Sequence, residues 1–420
     1  MIPADQVEPP IQQAAHSGTL PQFNRPEWSL AVQTTVPGSL PPFFKGQLAW
    51  LESQGLRVHT ISAPGPELRW VSEAEQVRPH AVPMNRSISP LQDLVALWRL
   101  VRLYRRCRFT MVHAFTPKGG FLGMLAATIA RCPVRLFTIW GLAPEAGTFR
   151  VRLMLLADKL SCALADKVVV ECPSIAELAV AKGLCPREKL VVTPAWSTCS
   201  LDLRMADLRD LPESRGAARR QWGLPTDALV IGFVGRVVRD KGVHELMDAF
   251  ETLAAEFPQL HLLIVGARET EDALGPEVLR QIDQHPRIHC TGFQEDVRPL
   301  LSAMDLLVHP SYREGLPAAP LEAAARGLPV VATRIPGCVD AVQDGVSGLL
   351  VAPRNSRELA ATVRQYLLDP ELRRRHGENG RALILERYDR RTAWAALLDL
   401  YRQCLAEYSP NPQSPPKPPG

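Results

Sequence analysis

Residues 230–242 read V-I-G-F-V-G-R-V-V-R-D-K-G, an apolar strand that ends at Gly235 and is followed at once by Arg236 and, five residues later, by Lys241. A strand this short and this apolar belongs in a parallel sheet covered on both faces. In an open α/β sheet a ligand binds at the carboxyl ends of the strands, where glycine lets a phosphate approach backbone N–H groups and Arg or Lys neutralises its charge. A glycine turn with solvated basic residues is the bland reading of the same letters. The segment therefore needs support from the rest of the chain.

Outward from it, similar apolar runs alternate with helical patterns at residues 260–265, 287–290, 306–309, 330–333 and 349–351, which predicts one parallel sheet. An earlier series at residues 30–35, 57–62, 111–115, 134–139, 167–171 and 190–193 predicts another. Between the two, the polar stretch 202–220 has no strand signal and reads as a connection. The expected organisation is a loose extension over residues 1–28, an amino-terminal Rossmann-like domain over 29–200, a linker over 201–222 and a second Rossmann-like domain over 223–390. A last helix over 391–408 returns toward the first domain, and a proline-crowded tail over 409–420 is expected to be disordered.

Composition agrees with two ordinary cores: 420 residues, 46% of them apolar. With 48 basic and 44 acidic residues, a formal charge of +4, the chain is not a dedicated nucleic-acid binder, and no nucleic acid is expected as partner. Nine cysteines without a C-x-x-C pair read as reduced structural thiols, which suits the cytoplasm. No run reaches the roughly 18 apolar residues that cross a bilayer, and the first 28 residues lack the basic start and apolar core of a signal peptide. Residues 91–109 combine Leu94, Trp98 and Val101 with Arg99, Arg102, Arg105, Arg106 and Arg108 and a single acid, Asp93. Such a helix suits an anionic lipid surface or packs into a core while its long basic side chains reach solvent.

The support for the first segment comes from residues 309–348, H-P-S-Y-R-E-G-L-P-A-A-P-L-E-A-A-A-R-G-L-P-V-V-A-T-R-I-P-G-C-V-D-A-V-Q-D-G-V-S-G. Glu314 is expected in a loop and Glu322 in the next helix, with Pro317 and Pro320 in that helix's first turn. The N–H groups of Leu321, Glu322 and Ala323 would then be free to meet a diphosphate at the positive end of the helix. A carboxylate nearby can accept hydrogen bonds from two ribose hydroxyls.

Two glutamates eight apart are weak by themselves, but the string around them resembles the retaining, two-Rossmann-domain (GT-B) glycosyltransferases with the E-x7-E motif, here Glu314 and Glu322. The resemblance implies Arg236 and Lys241 on the donor diphosphate, Glu322 on the ribose, and Glu314 as catalytic residue, with the Gly315–Leu316 backbone, against the transferred sugar. It also implies Leu321 at the helix start and Gly292 with Phe293 at the nucleobase, whose identity stays open. In the first half T-V-P-G-S-L at 35–40 with Gly38, V-H-A-F-T-P-K-G-G at 112–120 with Lys118, and G-L-A-P-E at 141–145 with Glu145 are similar to the capsule-type subgroup. The chain departs from the family where it has Trp140 and Phe115 in place of histidines. Lys118, Trp140 and Glu145 are the acceptor-side residues this implies. His113 reads as a core residue.

The expected fold class is thus α/β, two facing Rossmann-like domains with parallel sheets and a cleft between them. The expected reaction moves a hexose or N-acetylhexosamine, with retention, from a UDP-sugar to a saccharide or polyprenyl-diphosphate-linked saccharide acceptor. No cofactor and no metal are expected, since the donor half has no D-x-D triplet or Asp/His cluster. The place implied is the cytoplasm, at the inner face of the membrane. A nucleotide-sugar epimerase and a donor-binding pseudoenzyme are the rival readings. A nicotinamide dehydrogenase fits worst, because no G-x-G-x-x-G opens either sheet.

Overall fold

The structure, a computed structural model, describes residues 28–87, 89–142, 149–193, 211–270 and 272–408. The expectations for residues 1–27, 143–148, 194–210 and 409–420 lie outside them.

Thirteen strands among these residues form two sheets. The first contains β1 (Ser29–Gln33), β2 (Arg57–Ser62), β3 (Arg78–Ala81), β4 (Met111–Phe115), β5 (Val134–Ile139), β6 (Lys167–Val170) and β7 (Leu190–Val192) in the order β3-β2-β1-β4-β5-β6-β7. The second contains β8 (Leu229–Val234), β9 (Leu260–Val265), β10 (Ile288–Cys290), β11 (Leu306–His309), β12 (Val330–Thr333) and β13 (Gly348–Val351) in the order β10-β9-β8-β11-β12-β13. Every strand pair is parallel, as in β8 against β9, where Leu229 faces Leu260 and Val234 faces Val265. Helices cover both faces, so β1, β9, β11 and β12 are buried along their whole length. That is why they read as largely apolar runs without a polar face.

In both sheets the strand order reverses once, between β1 and β4 and between β8 and β11. Each reversal opens a crevice at the strands' carboxyl ends, because the helices on either side leave in opposite directions. These two crevices position the site.

Three expectations need correction. The edge strand β3 was not predicted: R-P-H-A carries a proline and no large apolar side chain, as a strand with one unpaired side tolerates. The stretch expected as linker holds a helix, Leu211–Gln221, that belongs to the second domain. Arg215 and Arg219 of this helix reach Asp305 at 2.7 and 3.1 Å, and Asp305 also accepts from the Val230 N–H at 2.7 Å. The arginines that made the stretch look solvated are the groups that fasten it. Finally, the helix carrying Glu322 is Ala318–Ala325, with Pro317 as its N-cap. The N–H groups left free in a first turn are the N-cap and the three residues after it. Here two of those four are prolines, so Ala318 and Ala319 supply the free donors, while those of Leu321, Glu322 and Ala323 lie inside the helix ladder.

The helix Arg390–Tyr408 packs on the first sheet, although its chain has left the second domain. Trp394 lies 5.7 Å from Trp50, ring to ring, and the Tyr401 hydroxyl lies 2.7 Å from Nδ1 of His113. His113 is fully buried with its other nitrogen 2.6 Å from the Thr138 hydroxyl, and burial lowers its pKa to about 3. It is a core residue.

Candidate functional site

The loops after β8 and β11 meet over the second crevice. After β8 the chain makes a short turn, Arg239–Lys241, and enters the helix Val243–Glu256 through Gly242. Gly242 has φ +69°, and a Cβ there would stand 2.0 Å from the Pro310 carbonyl oxygen. Only glycine allows both the left-handed backbone and that approach. The closeness lets the Tyr312 N–H donate to Asp240 O at 2.9 Å, which ties the two loops together.

Lys241 and Glu314 are thereby brought together: Nζ lies 2.6 Å from Oε1, with the two side chains 15% and 11% exposed. Nε2 of His309, the last residue of β11, lies 2.9 Å from the same oxygen. Burial by itself would raise the Glu314 pKa, but the His309 hydrogen bond and the Lys241 ammonium outweigh it and hold the carboxyl well below its usual range. Glu314 is therefore a fixed anion at neutral pH. His309 was missed in the sequence; its position at a strand's carboxyl end, five residues before Glu314, is the signal that was there.

Glu322 behaves oppositely. It is recessed yet keeps an opening to solvent. Burial, with a smaller contribution from Asp296, pushes its carboxyl up to about 7. No basic side chain offsets this, so a ligand that brings hydrogen-bond donors would favour the ionised form. Arg236 is 2.9 Å from Glu269 and 3.9 Å from Asp240, with its side chain 40% exposed. Gly292, φ +69°, accepts through its carbonyl from the Gly266 N–H at 2.9 Å, and Phe293 beside it is exposed. The side chains of Leu316 and Leu321 are buried, and the Leu321 N–H is inside its helix.

Gly315 faces the other domain. A Cβ on it would stand 1.7 Å from the Trp140 carbonyl oxygen. Close by, the Ser174 hydroxyl accepts from the Gly337 N–H at 2.7 Å and hydrogen-bonds to Asp340. The loop that carries Glu314 thus touches the carboxyl end of β5 through backbone, and the two crevices open toward each other.

On the first domain's side, the hydroxyls of Thr35, after β1, and Thr116, after β4, are 2.7 Å apart across the reversal point. Gly38 is exposed in the loop after β1. Lys118 is not a free cation: it pairs with Asp93 and donates to the Ser87 carbonyl, both at 2.5 Å. Trp140 turns its indole into an aromatic group, 4.4 Å from Phe43 and 5.1 Å from Phe115 between ring centroids, and its buried N–H has no partner. Glu145 lies outside the described residues.

Two carboxyls of opposite character, a buried ammonium and free helix N–H groups at facing reversal points suit a ligand with a diphosphate in its middle and hydroxyls at both ends. Residues 214–383 match the family described as glycosyl transferases group 1, and residues 42–196 match the glycosyl transferase 4-like domain. Over 374 residues, 89% of this chain and 96% of the relative, the sequence is 28% identical to a capsular polysaccharide biosynthesis glycosyltransferase, CapM, of Staphylococcus aureus. It is 34% identical over 188 residues, 45% of this chain and 53% of the relative, to a lipopolysaccharide core biosynthesis glycosyltransferase, LpsE, of Rhizobium meliloti. Among solved structures, Anabaena HepE in complex with UDP and glucose superposes with a TM-score of 0.76 at 21% identity, covering 90% of this chain and 100% of that one. The two halves of the chain are thus similar to the glycosyl transferases of group 1 and to the glycosyl transferase 4-like domain, and the fold is GT-B.

Proposed function

We propose that this glycosyltransferase moves a hexose or N-acetylhexosamine from a UDP-sugar, with retention of anomeric configuration, to a saccharide or polyprenyl-diphosphate-linked saccharide in surface polysaccharide synthesis, at the cytoplasmic face of the membrane. The observation that carries the reading is the Lys241–Glu314–His309 cluster at the reversal point that faces the other domain. The similarity to CapM and LpsE favours a surface-polysaccharide acceptor, and the UDP and glucose in the HepE complex favour a uridine donor. That the eight described cysteines are all free thiols suits a reducing compartment.

In the proposed reaction the bond from the sugar's anomeric carbon to the donor phosphate breaks. The acceptor oxygen bonds to that carbon on the same face, and the acceptor proton passes to the departing diphosphate. The protein's part is positioning and charge. Lys241, Arg236 and the N–H groups of Ala318 and Ala319 meet the growing diphosphate charge without a metal ion. Glu322 accepts from the ribose hydroxyls. Glu314, kept anionic by Lys241 and His309, accepts from hydroxyls of the transferred sugar.

The test is thermal stabilisation by a panel of UDP-, GDP- and ADP-sugars. A donor at about 100 times its dissociation constant adds roughly 2.7 kcal/mol. Stabilisation by UDP-sugars above the others supports the uridine reading, and an equal or absent response to all three overturns it.

A further inference from the structure

The helix Pro90–Cys107 has two apolar faces. Ala96, Leu100 and Tyr104 are buried against the first sheet, as a core-packing helix requires. Leu91, Leu94, Val95 and Trp98, spaced along a second stripe, are 82%, 64%, 47% and 60% exposed. If the arginines merely carried a core helix to the surface, this second stripe would be polar. On the helix Phe149–Leu164, Phe149 is 80% and Leu156 51% exposed. The helix Pro117–Ala130 packs between these two, and its Ile129 is exposed as well.

The charge around this surface is one-sided. Residues 82–165 contain twelve basic and three acidic residues, in a chain whose totals are 48 and 44. Of the acids, Asp93 is paired with Lys118 and Asp158 is buried. Arg99, Arg102, Arg105 and Arg106 are exposed on the first helix, Arg102 lying over the Trp98 ring at 5.6 Å, and Arg152 and Lys159 are exposed on the other.

The position is as telling as the composition. In a parallel β-α-β unit each helix starts above the carboxyl end of the strand before it. Leu91–Trp98 and Phe149 belong to the first turns of their helices, so they lie at the end of the sheet that bears Thr116 and Trp140. The Lys118–Asp93 pair, 2.5 Å, ties the start of the first helix to the start of the next, directly after β4. The apolar surface therefore borders the mouth of the cleft on the acceptor side.

We infer that this face docks on an anionic lipid bilayer. The apolar stripe enters the boundary between headgroups and acyl chains, and the surrounding arginines meet lipid phosphates. It extends the functional reading above, resting on it only for the idea that a lipid-linked acceptor enters the cleft from that surface. Lipid binding itself is independent of the donor chemistry.

The experiment is co-sedimentation of the full chain with vesicles of phosphatidylcholine alone or mixed with phosphatidylglycerol, for the wild type, Leu94→Gln/Trp98→Gln and Arg99→Gln/Arg102→Gln. The wild type should pellet with the anionic vesicles alone and be released by high salt. The apolar double variant should lose roughly tenfold or more in partitioning. The arginine variant should bind more weakly with a shallower dependence on salt. Both should keep wild-type melting temperatures and donor-induced stabilisation, because the four side chains are exposed on a helix of the first domain while the donor cluster is on the second; a variant that fails this control is replaced by Leu91→Gln/Val95→Gln. Absence of wild-type pelleting with either vesicle, or equal pelleting of all variants, overturns the inference. Concentration-dependent self-association removed by Leu94→Gln/Trp98→Gln, without vesicle binding, overturns it in favour of a protein interface. None of these outcomes touches the donor reading, which the nucleotide-sugar panel tests separately.

Discussion

Nζ of Lys241 lies 2.6 Å from Oε1 of Glu314, and Nε2 of His309 shares the same oxygen at 2.9 Å. The ammonium proposed to meet the donor diphosphate is thus also the counter-ion of the carboxylate proposed to meet the transferred sugar, so removing it acts on both. Lys241→Ala leaves a buried carboxylate with His309 as its one remaining partner, which costs about 3–5 kcal/mol of stability. The sign follows from the depressed pKa of Glu314: its ionisation contributes stability above its ordinary value of 4.5, and that contribution is lost as pH falls below it. Acid unfolding should begin at higher pH in Lys241→Ala, and the preference for nucleoside diphosphate over nucleoside should largely disappear. Identical acid transitions in the two proteins would argue against the pair.

Glu322 gives the opposite pH dependence. Its pKa is raised from 4.5 to about 7 in the folded chain. The protonated form is therefore favoured by folding, a contribution of about 3 kcal/mol that is complete below the unfolded value and lost as pH rises through about 7. Ribose hydroxyls favour the ionised form, so donor binding should release a proton near neutrality. Calorimetry in two buffers of different ionisation enthalpy should show that release in the wild type and not in Glu322→Gln. Glu322→Ala should cost about 1.5–3 kcal/mol in kcat/KM, roughly ten- to a hundredfold. A variant with unchanged kinetics and unchanged proton release contradicts the assignment.

Gly315→Ala puts a methyl group where the Trp140 carbonyl oxygen would be 1.7 Å away. The clash is between backbones of different domains, so side-chain rotation cannot relieve it, and the loop bearing Glu314 must withdraw. We expect kcat to fall by about tenfold or more, around 1.4 kcal/mol of barrier, with far-ultraviolet circular dichroism unchanged. Full activity in Gly315→Ala would mean that this close approach has no part in turnover.

Trp140 replaces a histidine of the family pattern, and its ring packs 4.4 Å from Phe43 and 5.1 Å from Phe115. An imidazole fills that aromatic group poorly, so Trp140→His should lower the melting temperature and leave activity unchanged or reduced. A gain in kcat of roughly tenfold would instead show that imidazole charge or hydrogen bonding serves the transition state.

Twelve of the thirteen strands announce themselves as short, largely apolar runs because parallel strands covered on both faces have no polar side. Leu260–Val265 is an instance. Gly348–Val351 was legible to within a residue. Arg78–Ala81 was not, because an edge strand needs no apolar side chains, and the helix Leu211–Gln221 was hidden by arginines whose partner, Asp305, lies far along the chain. In the site, Glu314, Glu322, Arg236 and Lys241 stood out by residue type and spacing. What spacing could not convey was which charges meet: that Lys241 pairs with Glu314, that His309 joins them, and that Lys118 is spent on Asp93. Those contacts depend on loops from different strands and helices converging at the reversal points.

A chelator gives a direct check on the leaving group. If Lys241, Arg236 and the N–H groups of Ala318 and Ala319 meet the diphosphate as proposed, activity should survive EDTA. Inactivation that Mg²⁺ restores would show that these groups do not suffice.

Transfer of a sugar from a UDP-sugar with retention is read out by time-resolved proton NMR of a UDP-sugar, the purified chain and a polyprenyl-diphosphate-linked saccharide. UDP release should appear together with a new anomeric signal of the donor's own configuration, both lost in Glu314→Gln. Inverted product, free epimerised donor, or an intact donor for every UDP-sugar tried would contradict it.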